Sequence, residues 1–100
     1  KNIDPSWMGL PILISERFKE RKKRFINYLD KIGIETRPII SGNFANQPAA
    51  KLYNLCKKNE KFENSQKVQE LGFLIGLHTK KISKKSLKLI HDAFFMIDQI

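Results

Sequence analysis

The stretch GIETRPIISGNFANQP, from Gly33 to Pro48, decides how the chain is interpreted. Gly33 can adopt the left-handed conformation that often ends a helix, so it marks the end of a helical pattern. Residues 34–40 then predict a strand that carries Arg37, and Pro38 favours an edge or a strand end because it donates no ladder hydrogen bond. Residues 42–48 form a loop rich in glycine, asparagine and proline. A rigid cation and several polar groups therefore lie at a strand end, where scaffolds often carry binding sites.

The residues on either side predict further strands and helices. The apolar run 10–15 predicts a first strand, with Pro11 at its start or on an edge, and residues 73–77 predict a third. Helices are predicted at 16–32, at 49–57, at 65–71 and from Ser83 towards Ile100, with Ser15, Asn64 and Ser83 as N-caps. This order predicts an α+β fold, in which a small three-stranded sheet is covered by helices on one face and its strands pair either parallel or antiparallel.

The composition limits the class of protein. A chain of 100 residues, 41% of them hydrophobic, is one small domain rather than a disordered segment. It begins at Lys1 rather than at a methionine, and we expect residues 1–100 to be one domain of a longer polypeptide. The single cysteine, Cys56, excludes an intrachain disulfide and a thiolate metal site. We expect Cys56 to lie in a helix and the chain to hold no metal.

The charge and the hydropathy of the chain indicate which kinds of partner it could bind. The net charge of +9 can attract nucleic acid, anionic membranes or phosphorylated metabolites. The basic residues gather at 17–24, 57–61 and 80–88 and are mostly lysines on predicted helices, a pattern also typical of solvated surface. No apolar run approaches the roughly 20 residues of a membrane span, and no signal peptide is visible. We therefore expect a cytoplasmic protein without a membrane partner.

Candidate site residues are few, because the sequence contains no phosphate-binding glycine loop, nucleophile elbow or paired metal-binding histidines. Arg37 could bind phosphate or a sugar hydroxyl through its planar fork, or it could pair with Glu35 at the surface. His78 directly follows the third predicted strand and is either structural or part of a site. Phe44 either covers the domain's own core or lines a pocket shared with another chain.

Three segments resemble motifs of the DegT/DnrJ/EryC1/StrS family, which comprises pyridoxal-phosphate-dependent nucleotide-sugar aminotransferases and their dehydrase relatives. They are PSWMGLPI at 5–12, GIETRP at 33–38 and GFLIGLH at 72–78. The segment IISGNF at 39–44 looks more like the dehydrase branch, which acts on 4-keto-6-deoxy sugars at C3. Gly76 and His78 also match the dehydrase form, but Leu77 replaces its asparagine. Both branches therefore stay open.

The resemblance implies the C-terminal small domain of a type I fold aminotransferase-like enzyme in lipopolysaccharide or cell-surface polysaccharide synthesis. The N-terminal domain of such an enzyme holds most of the pyridoxal phosphate and supplies the Schiff-base lysine, or the histidine that replaces it. The resemblance thus implies no catalytic residue and no bound cofactor in this chain. It implies that Arg37, Asn43, Phe44 and His78 contribute walls to the nucleotide-sugar site of an enzyme that is commonly a homodimer.

The rival interpretation is a free-standing basic module that binds nucleic acid. Its support is the charge alone, since the sequence shows no recognition helix or exposed aromatic platform. We therefore expect nucleic acid not to be the partner. A purely structural or regulatory domain without a site is a third interpretation.

Overall fold

The computed structural model describes residues 2–57 and 59–100, and within them the chain forms three strands and four α-helices. The strands are β1 (Gly9–Leu13), β2 (Thr36–Arg37) and β3 (Gly72–Gly76). The α-helices are α1 (Lys22–Lys31), α2 (Pro48–Leu52), α3 (Glu63–Leu71) and α4 (Lys84–Phe95), and short 3-10 helices cover Glu16–Arg21, Phe44–Asn46 and Met96–Asp98. The predicted α+β class with a small three-stranded sheet is confirmed.

The sheet has the order β1-β3-β2, and β3 pairs antiparallel with both neighbours. Leu77 N donates to Met8 O at 3.3 Å, which places the even-numbered residues of β1 in the hydrogen-bonded pairs with β3. Pro11 is in one of the non-hydrogen-bonded pairs, so its backbone nitrogen points away from β3 towards the free edge of the sheet. The missing N–H of proline therefore removes no hydrogen bond between the strands. The edge position predicted for Pro11 is confirmed, although it lies in the middle of the strand.

The core lies on one face of this sheet. The rings of Phe25 from α1, Phe73 from β3 and Phe94 from α4 meet there, with centroids 5.5 Å apart for Phe25 and Phe94 and 6.2 Å for Phe25 and Phe73. Other buried members of this core are Ile14, Leu29, Ile34, Leu71, Ile75, Ala93 and Ile97. On the opposite face, Pro11, Leu13 and Arg37 are exposed in the described part of the chain. Helices therefore cover one face, as predicted.

Two predicted elements are much shorter than expected. The strand over 34–40 is wrong except at Thr36–Arg37, because Ile34 N still bonds to Leu29 O of the preceding helix and Gly42 N closes a turn on Ile39 O. The helix over 49–57 ends at Leu52, and Asn54 then takes a positive φ of 50° that turns the chain. Cys56 consequently lies outside a helix and is half-buried.

Two of the predicted helix-end signals are confirmed, and two are not. Gly33 follows Ile32, the C-cap of α1, and has φ of 84°, which confirms it as a helix stop. Ser83 caps α4 as predicted, since its Oγ accepts from Ser86 N at 3.1 Å. Ser15 makes no capping bond to the 3-10 turn that follows it. The cap at Asn64 is wrong, because α3 already begins at Glu63.

Candidate functional site

Arg37 lies on the edge strand β2, opposite Leu74 of the central strand. Its Nη2 pairs with Oε1 of Glu35, so the surface ion pair that the sequence allowed does form. Both side chains are more than 70% exposed, and such pairs contribute only about 0–1 kcal/mol. The guanidinium could therefore exchange Glu35 for an incoming anion at little energetic cost.

Asn43 is buried, with 6% exposure, and its polar groups have protein partners. Its backbone N donates to Gln69 Oε1 at 2.9 Å, its Nδ2 donates to Gln66 Oε1 at 3.0 Å, and its Oδ1 accepts from Ala45 N at 3.2 Å. Asn43 therefore fixes the loop after β2 onto α3. A ligand contact by Asn43 stays a prediction, and the geometry gives the residue a positioning role.

Phe44 and His78 are both exposed in the described structure. Phe44 begins the short 3-10 helix after Asn43 and is 47% exposed, so it does not belong to the buried core. His78 follows β3 by two residues, beside the segment that carries Trp7 and Met8. Trp7 is 62% exposed and Met8 86%, so this end of the sheet presents two large apolar side chains next to a histidine.

The structure does not bring the predicted site residues into one pocket. His78 lies beyond the end of β3, whereas Asn43 is bonded to α3, which leads directly into the start of β3. The strand has five residues, and at a rise of about 3.3 Å per residue its first and last residues are about 13 Å apart. Arg37 lies between these ends, opposite the middle residue of β3, and could serve a ligand at either.

A groove that the sequence did not predict lies between α3 and residues 45–57 and 59–62, with a volume of about 1010 Å³. Asn43, Gln66 and Glu70 belong to its lining, together with Lys19 and Phe62. Protein pockets for small ligands have volumes of roughly 300–1,000 Å³, so the groove is large enough for one. Gln66 and Glu70 are one helical turn apart. This spacing of polar residues is the sequence signal that would have indicated a polar helix face here.

Two ion pairs lie in the groove, Lys19 with Glu70 and Lys67 with Glu16. Lys19 Nζ donates to Glu70 Oε2 at 2.7 Å, and Gln66 Nε2 donates to Glu70 Oε1 at 2.9 Å. The hydrogen bond from Lys19, with that from Gln66 second, holds the pKa of Glu70 below its ordinary value. The same hydrogen bond raises the pKa of Lys19. A carboxylate with a lowered pKa stays ionised at neutral pH, which suits it to binding rather than to proton transfer.

The described ranges lack two features, a cluster of metal ligands and a membrane-spanning helix. Residues 2–57 and 59–100 contain no group of three or more His, Cys, Asp or Glu side chains that could hold a metal ion. The same ranges contain no helix with both the length and the apolar character needed to cross a bilayer.

Comparison with curated proteins connects most of this chain to enzymes of sugar metabolism. It is 29% identical over 76 residues to a GDP-4-keto-6-deoxy-D-mannose 3-dehydratase of Escherichia coli O55:H7, covering 75% of this chain and 19% of the enzyme. It is 30% identical over 77 residues to the lipopolysaccharide biosynthesis protein RfbH of Salmonella typhimurium, covering 75% and 17%. No family model matches the chain.

A third relative is a GDP-4-keto-6-deoxy-D-mannose 3-dehydratase of Yersinia pseudotuberculosis, 25% identical over 89 residues. That match covers 88% of this chain and 22% of the enzyme. The chain spans about a fifth of the length of the curated relatives it matches. It is similar in sequence to one region of enzymes that, by name, modify a GDP-linked 4-keto-6-deoxy sugar or serve lipopolysaccharide biosynthesis.

Proposed function

We propose that this chain is the C-terminal small domain of a nucleotide-sugar 3-dehydrase of the DegT/DnrJ/EryC1/StrS family. The observation that carries the proposal is the similarity to named 3-dehydratases, which covers 75–88% of this chain but only 19–22% of those enzymes. The α+β fold and the three family-like segments support it. The whole enzyme would be a cytoplasmic homodimer that acts in lipopolysaccharide or other cell-surface polysaccharide synthesis.

The part of this domain in catalysis would be to bind and orient the substrate. Arg37 is exposed on the uncovered face of the sheet, and its guanidinium suits a diphosphate or a sugar hydroxyl. Asn43 would hold the loop that presents Phe44, and His78 with Trp7 would form a second contact region at the other end of β3. These two regions lie at opposite ends of β3. A nucleotide sugar would therefore contact Arg37 and one of the two regions, or it would contact both regions, one through its nucleotide and the other through its sugar.

The described residues do not fit pyridoxal phosphate itself. A lysine suited to Schiff-base formation needs a lowered pKa and an accessible amine. Burial lowers the pKa of Lys22, but its Nζ donates to the Gln69 carbonyl at 3.0 Å and lies outside the large groove. We therefore assign the cofactor to the N-terminal domain of the proposed enzyme, and we assign none of these lysines to the reaction.

Cofactor reconstitution tests this proposal. We expect the full-length polypeptide to bind pyridoxal phosphate in equilibrium dialysis, while the 100-residue chain shows no visible absorbance of bound cofactor after dialysis. The residue at the Schiff-base position upstream should be histidine for a dehydrase and lysine for an aminotransferase. A stable, stoichiometric visible band on the isolated chain would contradict the assignment of the cofactor to the N-terminal domain. A full-length protein that binds no pyridoxal phosphate in equilibrium dialysis would contradict the proposed enzyme function.

A further inference from the structure

A cluster of lysines lies on α4 and just before it. Lys80, Lys81, Lys84, Lys85 and Lys88 are all exposed, and Asp92 is the acidic residue within 80–95. Asp92 pairs with Lys88 at 2.6 Å. The first turn of α4 contains no acidic residue although the helix dipole favours one there, and it contains Lys84 and Lys85 instead. This placement costs helix stability, so local stability does not explain the cluster.

Large apolar side chains accompany these lysines on the surface. Phe95 is 63% exposed, Leu87 is 52% exposed and Leu89 is 47% exposed. Lys84, Lys88 and Phe95 are four and seven residues apart, which places them on one face of the helix.

The inner and outer faces of α4 are well separated. Ala93 and Ile97 face the core with 2% and 8% exposure, on the side opposite Lys84 and Lys88. Phe94 also packs inward, whereas the ring of its neighbour Phe95 lies outside against His91, with the two centroids 4.9 Å apart. The outer face therefore combines positive charge with uncovered apolar area.

We propose that this lysine face, formed by Lys84, Lys88 and Phe95 with Lys85 and Leu87 on its flanks and Lys80 and Lys81 just before the helix, binds the surface of an anionic lipid bilayer. Lysines next to an anionic bilayer strengthen binding by about fivefold each, and exposed leucine and phenylalanine side chains enter the headgroup boundary. On α4, Lys84, Lys88 and Phe95 share one face, and Leu87 and Lys85 lie on its two flanks.

A lipid surface fits this face better than nucleic acid does. Leucine side chains neither stack on bases nor accept hydrogen bonds from them, and the cluster holds no arginine to grip a phosphate with two bonds. The expectation of no membrane partner rested on the lack of a spanning segment, and surface binding needs none. The proposal is independent of the proposed enzyme function.

Vesicle co-sedimentation of the 100-residue chain tests the proposal, with phosphatidylcholine alone and with phosphatidylcholine containing phosphatidylglycerol. We expect binding to the anionic vesicles at about 0.1 M salt, where charges still act over about 10 Å, and none to the neutral ones. The double variant K84Q/K85Q should weaken binding by about 30-fold. The matched control K23Q/K31Q removes the same charge from exposed positions on α1 and should weaken it far less.

Three results would overturn the proposal. The first is no sedimentation with anionic vesicles. The second is an equal loss of vesicle binding in K84Q/K85Q and K23Q/K31Q, which would show that binding depends on net charge alone. The third is tighter binding to duplex or single-stranded nucleic acid that K84Q/K85Q abolishes, which would assign the face to a nucleic acid. Circular dichroism of each variant checks that the fold is retained. The variant F95A should weaken vesicle binding and keep the parent's circular dichroism spectrum.

Discussion

The Nδ2 of Asn43 donates to Oε1 of Gln66 at 3.0 Å, and this bond joins the loop after β2 to helix α3 across 23 residues of sequence. Gln66 Oε1 also accepts from Asn46 Nδ2 at 2.9 Å, so one helical side chain holds two loop asparagines. The loop is thereby fixed at one end of the sheet, where it borders the large groove.

Removing this link should destabilise the domain. In N43A the backbone remains, but Gln66 loses a partner and Ala45 N loses its acceptor in a partly buried region. We expect a loss of about 1–3 kcal/mol in the free energy of unfolding, measured by urea denaturation. N27A, at an exposed position on α1, is the control and should change stability by no more than about 0.5 kcal/mol. An N43A variant as stable as N27A would show that the link is not needed.

The two glycines that bound β3 should respond very differently to an added methyl group. A Cβ at Gly72 would lie 2.4 Å from the carbonyl oxygen of Val68 and 2.7 Å from Cδ1 of Ile39, whereas a Cβ at Gly76 would have no neighbour within 4 Å. We expect G72A to lower the free energy of unfolding by about 1–3 kcal/mol and G76A to leave it nearly unchanged. Equal denaturation midpoints for the two variants would contradict the close packing at the start of β3.

The ion pair between Lys19 and Glu70 should make stability depend on pH in a defined direction. The pKa of Glu70 is lowered in the folded state, chiefly by the hydrogen bond from Lys19, so the folded chain binds this proton less readily than the unfolded chain. The stabilisation is therefore present above the unfolded pKa of about 4.3 and is lost as the pH falls through the lower folded pKa.

The corresponding experiment measures the denaturation midpoint of each variant at about pH 7 and at about pH 3, which lie above and below the titration of a glutamate. E70Q should show a smaller drop on acidification than the parent, and added salt should shrink the difference because the pair is exposed. The control E20Q removes an exposed carboxylate nearby and should keep the parent's drop. If E70Q and the parent lose the same stability on acidification, Lys19 does not act through this pair.

Substrate binding by Arg37 is testable in the full-length enzyme. R37A should lower kcat/KM for the nucleotide sugar by about 10- to 100-fold, the range for losing a hydrogen bond to a charged group. Its effect on stability should be small, because the bond to Glu35 is exposed. R24A removes an exposed arginine from α1 and is the matched control, expected to keep kcat/KM. An R37A enzyme with unchanged kcat/KM would remove Arg37 from the site.

Local features of the fold could be predicted from the sequence, and long-range ones could not. The helix stop at Gly33, the cap at Ser83 and the apolar face with Phe25 and Leu29 depend on neighbouring residues, and the structure confirms them. The shortness of β2 depends on a turn closed between Ile39 and Gly42, which no propensity reveals.

The same distinction applies to the candidate site. Arg37, Asn43, Phe44 and His78 were chosen by type and by their positions at predicted strand ends. Whether they share a pocket depends on the pairing of the strands, which the sequence left open, and antiparallel pairing separates His78 from Asn43. The partners of Asn43 lie 23 and 26 residues away on α3, beyond the reach of any local pattern.

The most direct test of the proposed function is turnover by the full-length polypeptide that contains this chain. It would be incubated with GDP-4-keto-6-deoxy-D-mannose, pyridoxal phosphate and glutamate, and the products analysed by mass spectrometry and NMR. The proposal predicts a sugar that has lost its oxygen at C3. A nucleotide sugar recovered unchanged by a folded, cofactor-loaded protein would contradict it, as would an amino group at C4 with the C3 hydroxyl retained.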